Sequence, residues 1–142
     1  MVSIKKFRFQ DNELLRLSNK IRTLVFVEEQ NVDPELEYEF EEEGNFYLMY
    51  FKNKPIATAR WRETAKGIKL ERFALLKEYR NRGLGTILLK ELLADVSKLN
   101  KTIYLHSQVN AINYYKREGF IEKGDRFFEA NIEHILMEYA TG

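Results

Sequence analysis

A chain of 142 residues, 44% hydrophobic and 13% aromatic, fits one domain spanning 1–142 around one core. A formal net charge of +1 gives no global basic field to favour nucleic acid, and the absence of cysteine excludes disulfides, a thiolate nucleophile and cysteine-ligated metal. The two histidines show no metal-ligand spacing, no apolar run reaches membrane-spanning length, and residues 1–9 lack a signal-peptide core; the expectation is a cytoplasmic protein with no metal and no nucleic-acid or membrane partner.

Residues 2–9 alternate enough for a strand. Asp11 can cap a helix that carries Leu14, Leu17, Ile21 and Leu24 at helical spacing. Arg22 falls near the end of that helix and reads as a surface arginine. Nine carboxylates then crowd residues 28–43, broken by Pro34. The run reads as a solvated connection or, more sharply, as an acidic rim that attracts a cationic acceptor such as an amine. Residues 46–51 and 56–63 read as strands joined by Lys52-Asn53-Lys54-Pro55. Thr64-Ala65-Lys66-Gly67 leads into a third strand, 70–76, and such short turns predict an antiparallel meander.

Next comes Arg80-Asn81-Arg82-Gly83-Leu84-Gly85, set between that strand and an amphipathic helix. The first-turn amides of a helix lack intrahelical acceptors, the macrodipole adds positive charge, and glycines admit a diphosphate close to the backbone. Arg80 and Arg82 add charge suited to phosphate oxygens. A Walker A loop would need Gly-Lys-Ser/Thr, whereas Thr86 and Ile87 follow Gly85; a dinucleotide fingerprint would need glycine where Leu88 stands. What remains is Arg80-x-x-Gly83-x-Gly85, with a plain tight turn bearing solvated arginines as the alternative.

The helix after Gly85 buries Leu88, Leu89, Leu92, Leu93, Val96 and Leu99 and turns Lys90, Glu91, Asp95 and Lys98 to solvent. Residues 102–109 alternate as a strand, and the strand-helix-strand crossover predicts a parallel partner for it. Asn110 caps a short helix, 111–118, and Gly119 ends it in a left-handed conformation. Gly124-Asp125 turns the chain, and residues 127–139 supply two closing strands with Asn131 near the bend.

The glycine turn resembles the pyrophosphate-binding signature of the GNAT superfamily of acyl-CoA-dependent N-acyltransferases. Asn110-Ala111-Ile112-Asn113-Tyr114-Tyr115-Lys116-Arg117-Glu118-Gly119-Phe120 resembles the second GNAT signature, and the order of the two motifs agrees. The resemblance covers essentially the whole chain. A subgroup of small bacterial acetyltransferases is similar also in Val25-Phe26-x-x-Glu29-Gln30, His106-x-Gln108 and the run from Glu133 to Met137. It implies an α+β (α/β GNAT) fold: a mixed, mostly antiparallel central sheet, helices on both faces, and a V-shaped acyl-CoA cleft. Acetyl-CoA is the implied cosubstrate, with no metal. Backbone amides of Arg80, Asn81, Arg82, Gly83, Leu84, Gly85 and Thr86 would bind its diphosphate. Backbone around Phe73, Ala74 and Leu75 would pair with the pantetheine arm as an added strand. Asn110 would hydrogen-bond the arm, Tyr115 would lie beside the sulfur, and Lys116 would approach the 3′-phosphate. A homodimer could form through an exposed final strand.

The implied reaction is direct attack of a small-molecule primary amine on the thioester in a ternary complex. A phenol, with an ordinary pKa of about 10, can donate to a departing thiolate, which assigns Tyr115 as general acid. For the base, Glu71 and His134 stand side by side, with water as intermediary and His106 third. Period-two alternation puts Glu71 on one face with Lys69 and Phe73, where burial would raise its pKa; a charge paired with Arg72 is the alternative. His134 opens the last apolar strand with a near-neutral imidazole. Arg22, Arg60 and Gln108 could touch the acceptor. The arginines suit a carboxylate and the acidic rim an amine, so an amino acid or small zwitterion reconciles them. A non-catalytic acyl-CoA-binding or regulatory module is the alternative, and an unrelated nucleotide binder the third reading.

Overall fold

Short turns join β2 (Asn45–Phe51), β3 (Lys54–Thr64) and β4 (Gly67–Leu75), which pair antiparallel in sequence order, so the predicted three-stranded meander is observed; β1 (Val2–Arg8) adds antiparallel to β2 after the long connection 9–44. Lys52 and Asn53 both take positive φ, 49° and 66°, matching the twist of a two-residue hairpin. With β5 (Ile103–Gln108), β6 (Phe120–Glu129) and β7 (Ile132–Tyr139), the strands form one seven-stranded sheet in the order β1-β2-β3-β4-β5-β7-β6. Among the described residues, only the β4–β5 pair is parallel. The computed structural model describes residues 1–32 and 40–140. Of the expected acidic rim, Asp33, Glu35, Glu37 and Glu39 lie outside the described residues, as does Pro34.

The sheet carries helices on both faces. α1 (Asn12–Arg22) starts where Asp11 accepts a hydrogen bond from the Leu14 amide at 3.1 Å, the predicted cap. It runs on into a wider π-helical segment, Thr23–Glu29, which buries Val25 and leaves Leu24 exposed, against expectation. Phe7, Ile21, Val25, Phe46, Leu48 and Ala74 pack together on this side. α2 (Leu84–Val96) covers the opposite face with Leu88, Leu89, Leu92, Leu93 and Val96, over Met49, Ile56, Ile68 and Leu70. Leu99 falls in the 3-10 turn Ser97–Leu99 beyond the helix and is 40% exposed rather than buried. Asp95 does not simply face water: it accepts from the Tyr47 hydroxyl at 2.6 Å and pairs with Lys6 at 2.9 Å. α3 (Ile112–Arg117) is short; Asn110 sits in the 3-10 turn Val109–Ala111 before it, and Ala111 holds the N-cap position, so Asn110 is not its side-chain cap. Gly119 ends α3 with φ +99° as predicted.

Besides a register shift at Met49/Tyr50 between β2 and β3, bulges in β4 and β6 displace the expected alternation. On β4, Thr58 pairs with Ala74 and Arg60 with Glu71, so Arg72 and Phe73 oppose Ala59, and Arg72 takes φ +59°. Phe73 and Leu75 therefore pack on the α2 side, and Phe73 does not share the face of Glu71. On β6, the register jumps from Lys123↔Leu136 to Phe127↔His134. Gly124-Asp125 is thus part of a bulge inside one strand, not a turn; the closing bend is at Ala130-Asn131, both at positive φ. β7 lies inside the sheet between β5 and β6, which overturns the expected exposed final strand. β6 is the edge, and its bulge and charges blunt that edge against pairing.

Candidate active site

The two halves of the sheet separate after three residue pairs. β4 and β5 match only at Ile68↔Ile103, Lys69↔Tyr104 and Leu70↔Leu105. Beyond them β4 stays with β3 to Leu75, while β5 stays with β7 to Gln108. Residues 71–75 thus present a backbone edge that no described strand pairs, and a cavity of about 900 Å³ opens in the gap.

One end of the cavity is built largely of backbone. Gly83, at φ +76°, is the N-cap of α2 and offers no side-chain acceptor. The next amides, of Leu84, Gly85 and Thr86, begin the helix without intrahelical acceptors. Asn81, Gly83, Leu84, Gly85 and Thr86 all line the cavity. A Cβ added at Gly83 would touch nothing within 4 Å, so glycine is required there by the left-handed backbone, not by crowding. The motif's arginines have other partners. Arg80 forks onto Glu29 with two 3.1 Å bonds and donates from Nε to the Leu75 carbonyl at 2.9 Å. Arg82 lies over the Tyr79 ring, 5.5 Å from its centroid. Phe73, Leu75 and Asn110 line the cavity; Ala74 is buried on the α1 side. Lys116 pairs with Glu122 at 2.6 Å and is not among the lining residues.

Tyr115 reaches the cavity from α3, half-buried between Tyr114 and Phe120, with ring centroids 5.2 and 5.7 Å away. Burial pushes its hydroxyl up, so the phenol stays protonated. Tyr114, which sequence reasoning passed over, shares a 2.8 Å hydroxyl bond with Thr86 and ties α3 to the first turn of α2.

The other end is built of side chains. Glu71 is buried; its Oε2 accepts from Arg60 Nε at 2.6 Å and Arg62 Nε at 3.0 Å, and its Oε1 lies 3.4 Å from Lys69 Nζ. Burial alone pushes this carboxyl up, but Arg60, Arg72, Lys69 and Arg62 outweigh it and hold it down to about 2. The expected rise is overturned, and an acid so weakly basic is a poor proton acceptor. Arg60 is fully buried in that cluster, and Arg22 is buried with its Nη1 on Glu41 at 2.9 Å and Asn19 at 3.0 Å. Neither is among the described residues that line the cavity. Gln108 does line it, and donates to Gln30 at 3.0 Å. The Val25-Phe26-x-x-Glu29-Gln30 motif thereby gains a physical reading: Glu29 holds Arg80 and Gln30 holds Gln108.

His134 lines the cavity with Nδ1 on the Ile132 carbonyl at 2.6 Å. His106, the third candidate base, also lines it, with Nδ1 on Glu129 Oε2 at 3.2 Å. Glu129 was missed in sequence. It stands between the two rings, with Oε1 3.9 Å from His134 Nε2, and the bond from His106 holds its carboxyl down to about 2. Its signal was its place two residues after Phe127 in a hairpin whose bend Asn131 marks, which puts both side chains on one face.

The family model described as Acetyltransferase (GNAT) domain matches residues 15–141. The chain is 37% identical to YyaT of Bacillus subtilis over 83% of each chain. It is 34% identical to the uncharacterized N-acetyltransferase YjcF of the same organism, over 90% of this chain and 94% of that one. Its fold is similar to that of an acyl-CoA N-acyltransferase from Pseudomonas aeruginosa, with a TM-score of 0.85 and 24% identity over 99% and 100% of the two chains. A GNAT family acetyltransferase from Elizabethkingia anophelis with acetyl-CoA bound shares the fold at a TM-score of 0.77 and 15% identity, over 99% and 98%.

Proposed function

This chain belongs to the GNAT acetyltransferase family, and from that premise we propose that it moves an acetyl group from acetyl-CoA to a primary amine of a small molecule, by direct attack in a ternary complex. One observation carries the reading: the free β4 edge, the uncapped start of α2 and the Tyr115 side chain meet in a single cavity. A free edge can take an extended pantetheine arm as an added strand, along the backbone of Phe73, Ala74 and Leu75. The amides from Asn81 to Thr86 suit a diphosphate, and Asn110 stands at the cavity wall to bond the arm. The acetyl-CoA bound by the Elizabethkingia anophelis protein, which shares this fold, is in keeping with that cosubstrate.

The acceptor arrives as an ammonium ion and must lose a proton before its nitrogen can attack. His134 is the better base of the two foreseen. Its Nδ1–H is committed to the Ile132 carbonyl, which leaves the Nε2 lone pair available, whereas Glu71 is held ionised by its cations. The nitrogen then bonds to the thioester carbon and an oxyanion forms. Its collapse breaks the C–S bond, the sulfur takes the proton of Tyr115, and the second nitrogen proton returns to the phenolate through water. Gln108, fixed by Gln30, lies at the acceptor end.

Thiol release measured over amino acids, polyamines, aminoglycosides and peptides tests the reading. Tyr115→Phe is expected to lower kcat by ~10²-fold or more and to leave acetyl-CoA affinity within about twofold. Unaltered turnover removes Tyr115 from the mechanism; tight acetyl-CoA binding with no thiol release from any amine makes the chain a non-catalytic binder.

A further inference from the structure

The base just described has a partner that the family signatures do not include. The Ile132 carbonyl can only accept, so His134 carries its proton on Nδ1 and turns a bare Nε2 towards Glu129, 3.9 Å away. The Glu129 carboxylate also can only accept, so His106 carries its proton on Nδ1 and its Nε2 is bare as well. Both rings are held by Phe127, which stands two residues before Glu129 on the same face of β6. It stacks on His134 at 6.0 Å and 20°, and meets His106 edge-on at 4.9 Å and 78°. Phe127 is the direct cross-strand partner of His134, in the register set by the bend at Ala130-Asn131. One strand therefore sets the tautomer of one imidazole and faces the free nitrogen of the other with a negative charge.

We propose that Glu129 is a positioning residue for proton removal, holding His106 in its Nδ1–H tautomer and serving as counter-ion when His134 Nε2 takes the acceptor's proton. The step balances simply: the N–H bond of the ammonium breaks, an N–H bond forms at Nε2, and the imidazolium is paired with a carboxylate already ionised beside it. This rests on the acetyltransferase reading above only for its consequence in turnover. The tautomers stand on geometry alone. Lys69 also lines the cavity, and its charge acts on both Glu129 and Glu71.

Imidazole-labelled protein examined by long-range 15N–1H correlation, at alkaline pH where both rings are neutral, reads the tautomers directly. The wild-type chain should show Nδ1–H at both histidines. Glu129→Ala should lose that preference at His106 and keep it at His134, where the backbone carbonyl remains. Steady-state rates should show kcat down by about a hundredfold in Glu129→Ala and about tenfold in Glu129→Gln, which keeps an acceptor oxygen but not the charge. KM for acetyl-CoA should not move in either. Retention of the His106 tautomer in Glu129→Ala, or an unaltered kcat in it, overturns the proposal. If the wild-type chain turns over no amine, the acetyltransferase reading fails while the tautomer spectra still decide on Glu129.

Discussion

The two ends of the cavity are made of different material. At the end proposed for the cosubstrate, the ligand-facing groups are peptide N–H and C=O, presented by a glycine turn and an unpaired strand edge. At the end proposed for the acceptor they are ionised and imidazole side chains, Glu71 and His106 held by partners on other strands and His134 by a carbonyl of its own strand. A surface of backbone needs only the right φ, ψ and open space. A surface of charged side chains must be neutralised within the protein before it can face a substrate, so it is welded into the core. The first end should fail by losing a ligand, the second by losing the fold.

The largest expected effect is at Glu71. Glu71→Gln keeps the shape and removes the charge, and with it the ionic part of the 2.6 Å contact to the buried Arg60 guanidinium. A loss of about 3 kcal/mol is expected in chemical denaturation. The pair also fixes a sign in pH. The folded carboxyl sits at about 2, below the roughly 4.3 of an unfolded glutamate, so its contribution is complete above that value and drains away as pH falls towards 2. The urea midpoint of the wild-type chain should fall through this window, and that of Glu71→Gln should fall less.

Gly83→Val sharpens the contrast. The left-handed backbone makes a β-branched residue strained by ~1–3 kcal/mol, while its Cβ meets nothing. Acetyl-CoA binding by calorimetry should weaken by more than about tenfold, because the first-turn amides move as the turn relaxes. Unchanged affinity would break the contrast, since the turn would then be scaffolding. The smallest effect is expected at Arg80, despite its place in the motif. Its charge is already matched by half-exposed Glu29, so Arg80→Ala should cost under about 1 kcal/mol and change acetyl-CoA affinity by less than about threefold. A tenfold loss would mean that Arg80 leaves Glu29 for a phosphate when the ligand arrives.

Much of this was open to reading in the chain, and the rest failed for a common reason. The meander, the α2 leucine stripe and the Gly119 stop are set by residues within a few positions of each other. The Arg60–Glu71 pair was also within reach: through a tight turn at 64–67, paired positions keep a constant sum, which puts residue 60 opposite 71. The roles first given to Arg60 and Glu71 separately ignored that register. Leu24 turns outward because it falls in the π-helical segment, which shifts the positions that face the core. The Arg72 and Gly124 bulges were not legible, because an inserted residue is visible only against the strand it faces. Glu129 lies between the second of these and the bend at Asn131, and counting back from that bend places it on one face with Phe127.

Only three rungs join the four-stranded plate to the three-stranded one. Seen mechanically, the molecule is two boards nailed at one end, and the wedge between them is where an acyl carrier would lie. A pantetheine arm laid along β4 would supply the absent rungs on that side, acting as a splint as well as an acyl donor. Loading would therefore stiffen the walls against which an amine must be aimed, which favours an order of events: carrier first, acceptor second.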